Sequence, residues 1–361
     1  MTRRPPPLPA LLDLTPEAAC ARLSEWVAAQ DLPGYRLRQL LPRLWQRPVG
    51  SWPEASELPR SLAAALDQEF PLPRMACARR QVSQDGTVKY LWRLADGQAI
   101  ESVVIPEGRR RTLCVSSQAG CAYGCAFCAT GLMGFGRHLE AWEIAAQVRE
   151  LALETPPSQP TNVVFMGMGE PLHNWPAVDT ALTTLNHPDG LGLGARHITV
   201  STVGVIPGLR LLAARQEQFR VALSLHAAIP EKRGALMPVE RKYPLAQVLS
   251  ELGRFRPRIT FEYVMIKGIN DAPEDAAALA ALARPLDALV NLLPLHPGGA
   301  GAFEATPPAA IRAFGASLKS LGARVSLRRS RGLDIAAACG QLRVETEGPR
   351  GVRPQEHAHI E

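Results

Sequence analysis

Between residue 18 and residue 70 the apolar positions recur at a spacing near that of a helical turn. The pattern covers 18–32, 36–45 and 58–70 and predicts three helices punctuated by prolines. From Gln81 the pattern changes. Residues 88–94 and 99–105 read as two strands across an Asp96-Gly97 turn. Short apolar runs then follow at 112–116, 162–166, 197–201, 220–224, 260–265, 289–293 and 324–327, separated by helical stretches. One such stretch, 139–153, sets Leu139, Ile144, Val148 and Leu151 on one face. Alternation of strands and helices predicts an α/β fold with a parallel sheet in an open or closed barrel. The same reading divides the chain into a small helical accessory domain at 1–80, a catalytic core at 81–345 and a polar tail at 346–361.

Composition narrows the class. At 361 residues, 46% hydrophobic and 20% charged, the chain suits a soluble core with an accessory piece. No apolar run reaches the roughly 18 residues of a membrane span, and the longest candidate, 279–295, is broken by Arg284, Pro285 and Asp287. The start, Met1-Thr2-Arg3-Arg4-Pro5-Pro6-Pro7, lacks the apolar core and cleavage site of a signal peptide, so a cytoplasmic protein with no membrane partner is expected. A formal charge of +6 admits a phosphate-rich partner. Only five of the forty basic residues are lysine, so arginine enrichment reflects genome composition as readily as binding. Local clusters say more: Arg109-Arg110-Arg111, and Arg328-Arg329-Ser330-Arg331. Seven cysteines without a secretory signal argue against a disulfide framework; Cys20 and Cys77 read as incidental thiols.

The candidate chemistry sits at the predicted strand ends, where barrels collect it. Cys121, Cys125 and Cys128 follow the 112–116 strand with the spacing C-x3-C-x2-C and no fourth cysteine close behind. Structural zinc takes four ligands and a [4Fe–4S] electron carrier normally has four thiolates. Three thiolates on a cubane leave one iron open. By spacing alone, an incomplete zinc knuckle stays open beside that reading. Gly167-Met168-Gly169-Glu170-Pro171 follows the next strand and offers backbone donors and a carboxylate suited to an ammonium group. Ser201-Thr202-Val203-Gly204 and Ser224-Leu225-His226-Ala227 bring hydroxyls and an imidazole to two more strand ends, where capping is an equally good reading of each taken singly. Past the last strand, residues 331–342 deliver a lone Cys339.

Taken together in order, these motifs resemble one family, and four segments carry the resemblance most specifically. Cys114-Val115-Ser116-Ser117-Gln118-Ala119-Gly120-Cys121, Met166-Gly167-Met168-Gly169-Glu170-Pro171-Leu172, Ser224-Leu225-His226-Ala227 and Ala338-Cys339-Gly340-Gln341-Leu342 are similar to the RlmN/Cfr family of radical S-adenosylmethionine (SAM) RNA methyltransferases, over roughly 30–345. The resemblance implies a partial (β/α)6 radical SAM barrel. It implies a [4Fe–4S] cluster on Cys121, Cys125 and Cys128, with SAM chelating the open iron. Gly169 and Glu170 would bind the amino acid end of SAM, and Ser201, Ser224, Leu225 and His226 the rest, with His296 in the segment that contacts SAM.

Family chemistry further implies that a methyl group moves from one SAM to Cys339 and that a radical from a second SAM activates it. The ring carbon of an adenine, too poor a nucleophile for polar transfer, is then attacked. Glu101 aligns with a family carboxylate assigned as proton acceptor, for which a salt bridge is the plainer alternative. Cys114 would release product by forming a disulfide with Cys339. The implied partners are 23S rRNA, with tRNA as a further candidate, and an electron donor such as flavodoxin with its reductase; the implied state is a monomer. Phe135 in Gly134-Phe135-Gly136-Arg137 favours C2 over C8 of adenine. Two departures stand out: His296 replaces a usual asparagine in Asn291-Leu292-Leu293-Pro294-Leu295-His296-Pro297, and Gly136 and His138 replace asparagines in the 133–139 loop. An activase of another radical class would share the cluster without needing Cys114 and Cys339, and a non-catalytic iron–sulfur or zinc RNA-binding protein would be indifferent to Cys339→Ala.

Overall fold

The computed structural model describes residues 10–154, 158–255, 259–296, 303–328 and 330–342. The polar tail read at 346–361, the prolines at 5–7, Pro297 and Arg329 lie outside them. Three helices open the fold: α1 (Pro16–Ala29), α2 (Arg36–Leu40) and α3 (Arg60–Glu69). Thr15 caps α1 by accepting from the Ala18 amide at 3.3 Å, and Pro16 takes the first turn, where its missing N–H is no loss. The second helix stops at Leu40 rather than running to 45 because Pro42 cannot continue its hydrogen-bond ladder; a 3-10 turn, Leu41–Arg43, replaces it.

The sheet begins at Ala76, ahead of the change of pattern at Gln81. Its first members are β1 (Ala76–Val82), β2 (Val88–Arg93), β3 (Ala99–Glu107) and β4 (Arg110–Cys114). A short pair follows, β5 (Gln118–Gly120) and β6 (Phe135–His138), with α4 (Ala129–Leu132) between them, then α5 (Ala141–Ala152) and β7 (Asn162–Phe165). The rest alternates: α6 (Trp175–Asn186), β8 (Ile198–Thr202), α7 (Ile206–Ala213), β9 (Arg220–Ser224), α8 (Pro230–Leu236), α9 (Leu245–Leu252), β10 (Ile259–Met265), α10 (Pro273–Ala283), β11 (Leu289–Pro294), α11 (Pro308–Ser320) and β12 (Arg324–Leu327).

The main sheet has the order β1-β2-β3-β4-β7-β8-β9-β10-β11-β12. Its first three junctions are antiparallel and every junction from β4 to β12 is parallel. Helices cover the parallel strands, so those strands read as almost continuous apolar runs. Phe261, Tyr263 and Met265 of β10 are fully buried on one face. Glu262 on the opposite face is buried too, and its direct register partner on β11 is Asn291. Two polar residues inside an apolar barrel need a reason.

The N-terminal layer is locked to α5, a helix buried on almost every side. Arg149 of α5 is wholly buried and donates to the carbonyls of Leu44 (2.9 Å) and Val49 (2.5 Å). Glu150 beside it accepts from the Arg74 guanidinium and from the Met75 amide. Burial pushes the Arg149 guanidinium down to about 10. Among the described residues no helix is long and apolar enough to cross a membrane.

Candidate active site

The cysteine loop leaves the barrel between β5 and β6, whose pairing (Gln118 with His138, Gly120 with Phe135) closes the loop at its base. Gly120 has φ +79°, and a Cβ there would lie 2.0 Å from the Gly134 carbonyl oxygen, so only glycine lets the two strands meet. The Cys121 amide donates to that same carbonyl at 2.9 Å, and the Ala126 amide donates to the Leu236 carbonyl at the end of α8. Cys121, Cys125 and Cys128 thereby line one pocket with Gly169, Glu170, Ser201, Ser224, His226 and His296. Burial pushes the Cys121 thiol up to about 12 and the Cys125 thiol up as well; Glu170 and Cys128 raise Cys121 further, and Cys128 and Cys121 raise Cys125. Such thiols lose their protons to a metal. Among the described residues no three His, Cys, Asp or Glu side chains converge as a single ion requires. A cubane needs no such convergence, since each thiolate meets a different iron. The donor set therefore fits a three-thiolate cluster.

After β7 the chain turns at Gly167 and Gly169. A Cβ on Gly167 would sit 2.7 Å from the backbone of Val115, and Gly169 has φ +95° against the Gln118 side chain. This turn seats Glu170, whose carboxylate is buried and accepts from the amides of Leu172 (3.0 Å) and Val203 (2.8 Å). It bridges the loops after β7 and β8. Burial raises its pKa to about 7, opposed by those hydrogen bonds and one from Thr202. The Ser201 and Ser224 hydroxyls stand 3.4 Å apart at the ends of β8 and β9. His226 adopts φ +54° and its Nδ1 accepts from the Val264 amide at 3.1 Å. Burial, with Arg233 nearby, lowers its pKa to about 3, so the ring is neutral and carries its proton on Nε2. Phe127 packs edge-on against it, ring centroids 4.6 Å apart.

Cys339 arrives on a loop with three left-handed residues, Gly332, Ala336 and Gly340. Asp334 accepts from the Ser83 hydroxyl and the Gln84 amide, and Asp85 accepts from the Gly332 amide, so the turn between β1 and β2 holds one side of the loop. On the other side the Ala129 amide donates to the Gly340 carbonyl, and Thr130 donates to that of Leu342. These two contacts tie the Cys339 loop to the turn after Cys128, and both cysteines line the same pocket. Cys114, the last residue of β4, faces the same space. The two thiols, both unpaired, line one cavity of about 1190 Å3 that adjoins the cysteine pocket and shares Met166, Glu262, Leu293 and His296 with it. The Cys339 thiol touches cavity solvent but lies deep among protein atoms, which raises its pKa. The Arg328 guanidinium works against that rise; the Glu262 carboxylate adds to it.

Not every expected residue reaches the cavities. Leu225 is fully buried in the core and offers only its backbone, its amide donating to the Glu262 carbonyl. Glu101 lines neither cavity. Its carboxylate is buried 3.2 Å from the Lys89 ammonium, and Lys89 also donates to the Ala336 carbonyl of the Cys339 loop at 3.3 Å. Val103 and Ile105, which alternate with Glu101 on one face of β3, do line the large cavity. Glu101 is thus the next residue along that face, covered by the Cys339 loop. His296 bonds Ser330 through Nε2 and lines both spaces. The sequence reading missed Glu262 and Asn291, joined by a 2.9 Å hydrogen bond from Asn291 Nδ2. The signal was there: a carboxylate and an amide interrupting two apolar strand runs.

A family model described as "Radical SAM superfamily" matches residues 115–280. The chain is 56% identical over 354 residues to a probable dual-specificity RNA methyltransferase RlmN of Gemmatimonas aurantiaca, covering 98% of each chain. It is 44% identical to the dual-specificity RNA methyltransferase RlmN of Anaeromyxobacter dehalogenans, over 90% of each. The fold matches the crystal structure of a radical SAM methyltransferase from Sphaerobacter thermophilus with a TM-score of 0.87 and 41% identity, covering 93% of this chain and 99% of that one.

Proposed function

The chain belongs to the RlmN family of radical SAM RNA methyltransferases, and on that premise we propose that it methylates C2 of an adenosine in 23S rRNA, and of an adenosine in tRNA, through an S-methyl group carried on Cys339. The observation that supports this reading most is the meeting of Cys114 and Cys339 at one cavity that adjoins the three-cysteine pocket. A single-cluster activase has no use for that second pair.

In this reading Cys121, Cys125 and Cys128 hold a [4Fe–4S] cluster, with SAM bound beside it. Together the cluster and SAM supply the methyl group and a radical able to remove hydrogen from it. The Glu170 carboxyl, which a neighbouring cation would draw toward its ionised form, and the Gly169 backbone receive an ammonium group. Ser201, Ser224 and the Nε2–H of His226 offer hydroxyl and imidazole partners along the pocket, and Leu225 contributes its backbone. His296, held by Ser330, takes the position the family usually gives to asparagine.

Cys339 as thiolate accepts the methyl group and later carries its carbon to the adenine. Glu101, ion-paired to Lys89 beneath the Cys339 loop and outside the cavity, would take the ring proton once that loop shifts. The unpaired electron left on the ring would return to the cluster held by Cys121, Cys125 and Cys128. The Cys114 thiol, which burial holds protonated, then attacks the Cys339 sulfur and gives up its proton as it does so. An S–S bond forms, the S–C bond breaks, and the carbon leaves with the electron pair and takes a proton to become the methyl group. Neither cysteine has a substitute in that step. The transient disulfide must be reduced before the next turnover, as the reducing cytoplasm allows. A flavodoxin-type donor and a monomeric state complete the proposal.

The test is expression in a bacterial strain that lacks 2-methyladenosine, followed by mass spectrometry of nucleosides from digested 23S rRNA and tRNA. Appearance of 2-methyladenosine, lost in Cys339→Ala, is expected. Appearance of 8-methyladenosine instead would move the reaction to C8. Absence of both, with the cluster loaded and SAM cleaved, would sink the adenine assignment.

A further inference from the structure

The large cavity extends to the opposite end of the parallel strands. It begins beside Cys114 and Cys339 and runs down the barrel interior to the N-terminal ends of the parallel strands, where Arg109, Arg110, Arg196 and Arg220 line it. These four come from separate places in the sequence: the β3–β4 turn, the start of β8 and the start of β9. They are exposed, and among the described residues none has a carboxylate oxygen within 4.0 Å. Instead neutral acceptors orient three of them. Arg110 donates to the Thr112 hydroxyl, Arg196 donates twice to the Gln218 side-chain oxygen, and Arg220 donates to the Arg196 carbonyl. Each guanidinium keeps its full charge and further N–H groups. Among the described residues Glu107 is the one acid lining this end of the cavity. Some surface arginines elsewhere are neutralised, as Arg43, Arg137 and Arg215 are by carboxylates at 2.5–2.8 Å. Others, such as exposed Arg312, have no carboxylate partner among the described residues but line no part of this cavity.

We infer that this arginine ring is a phosphate-binding site for the RNA strand that carries the target adenosine. The inference rests on the proposed RNA methyltransferase function and adds the route by which substrate is held. Arginine is the side chain suited to phosphate, with a planar fork of donors that stays charged. From Arg220 to Ser224 the strand rises about 13 Å at ~3.3 Å per residue. Arg220 therefore lies about that far from the Ser224 end of the cavity, and Arg110 stands the same four residues before Cys114 on β4. A flipped nucleotide inside the barrel would leave its flanking phosphates near the arginine end, whereas a folded acidic protein is too wide to follow the cavity inward. RNA in single-stranded loops is the form whose bases can be splayed out in this way.

The test uses the cluster-loaded full chain and a fluorescein-labelled RNA hairpin with an adenosine in its loop. Affinity is measured between 50 and 200 mM salt. Two phosphate contacts contribute about 1.4 to the slope of log K against log salt at ~0.7 per single-strand contact. R196Q/R220Q should lower the slope by about that amount, so the loss of affinity across this salt range becomes about sevenfold smaller. R109Q/R110Q, at the other side of the ring, should do the same. R312Q on the outer helix α11 should change nothing, and SAM binding with thermal melting reports whether each variant is folded. A slope and affinity equal to wild type in both pairs overturns the inference. So does equal competition by polyglutamate of matched charge, which would assign the ring to acidic peptides. Failure of the wild-type chain to bind or methylate RNA would instead remove the function on which the inference stands.

Discussion

Two charges of opposite sign flank the sulfur proposed to carry the methyl group, and they should tune it in opposite directions. Cys339 is raised by burial and by the Glu262 carboxylate and lowered by the Arg328 guanidinium. Replacing Arg328 with Gln removes the favourable charge and should raise the thiol pKa further. Replacing Glu262 with Gln keeps an acceptor for Asn291 Nδ2 and should lower it. One nearby charge shifts such a pKa by about 1 unit or more. Well below the pKa, one unit changes the thiolate fraction about tenfold. Nucleophilicity falls with basicity at a Brønsted slope of ~0.4–0.5, so the net change in alkylation rate is about three- to fourfold. The assay is iodoacetamide labelling of cluster-free protein at fixed pH, with peptides resolved by mass spectrometry and exposed Cys77 as internal control. Arg328→Gln should slow Cys339 labelling by that factor, Glu262→Gln should speed it, and the double variant should return near wild type. Two single variants moving the same way, or moving together with Cys77, would refute the electrostatic account in favour of altered access.

Further expectations follow from the fold. Glu170 titrates near 7 in the folded chain against an ordinary 4.5. A raised carboxyl pKa means that stability is fully present below 4.5 and is lost as pH rises toward 7. The loss between pH 5.5 and 8 comes to about 2 kcal/mol. Urea titrations should show that slope in the cofactor-free wild type and its absence in Glu170→Gln. Gly169→Ala, with positive φ and a Cβ 2.5 Å from the Gln118 side chain, should destabilise by roughly 2–4 kcal/mol. Gly124→Ala, with positive φ but open space, should lose only about 1–2 kcal/mol on thermal melting. Arg149→Met strands the buried Leu44 and Val49 carbonyls and should destabilise by about 2–4 kcal/mol. Hydrogen exchange should locate that loss in α1 to α3 rather than in the parallel strands.

The strands of the barrel were readable because each is a short apolar run bounded by turn residues, a local property that survives without tertiary context. The order of the motifs at strand ends followed, since covalent order alone puts Cys121, Glu170, Ser201 and His226 after successive strands. The strand β1 escaped that reading. It is exposed along most of its length and exists because β2 offers it an edge. The β5–β6 pair escaped as well, being set by a contact across the cysteine loop. Sequence could name Cys114 and Cys339 as thiols of interest, but the 224 residues between them hold no local signal for their meeting. That meeting depends on Asp85 and Asp334 at one side of the Cys339 loop and on the Gly340 carbonyl at the other. The same applies to the arginines at the lower end of the cavity. Arg109 and Arg110 stand out as a run, whereas Arg196 and Arg220 join them only because parallel pairing in register brings the starts of β8 and β9 to one end of the barrel. Hydrophobic periodicity determines which segments are strands and helices. Only the assembled sheet decides which distant polar groups share a cavity, because that follows from strand order and register rather than from neighbours along the chain.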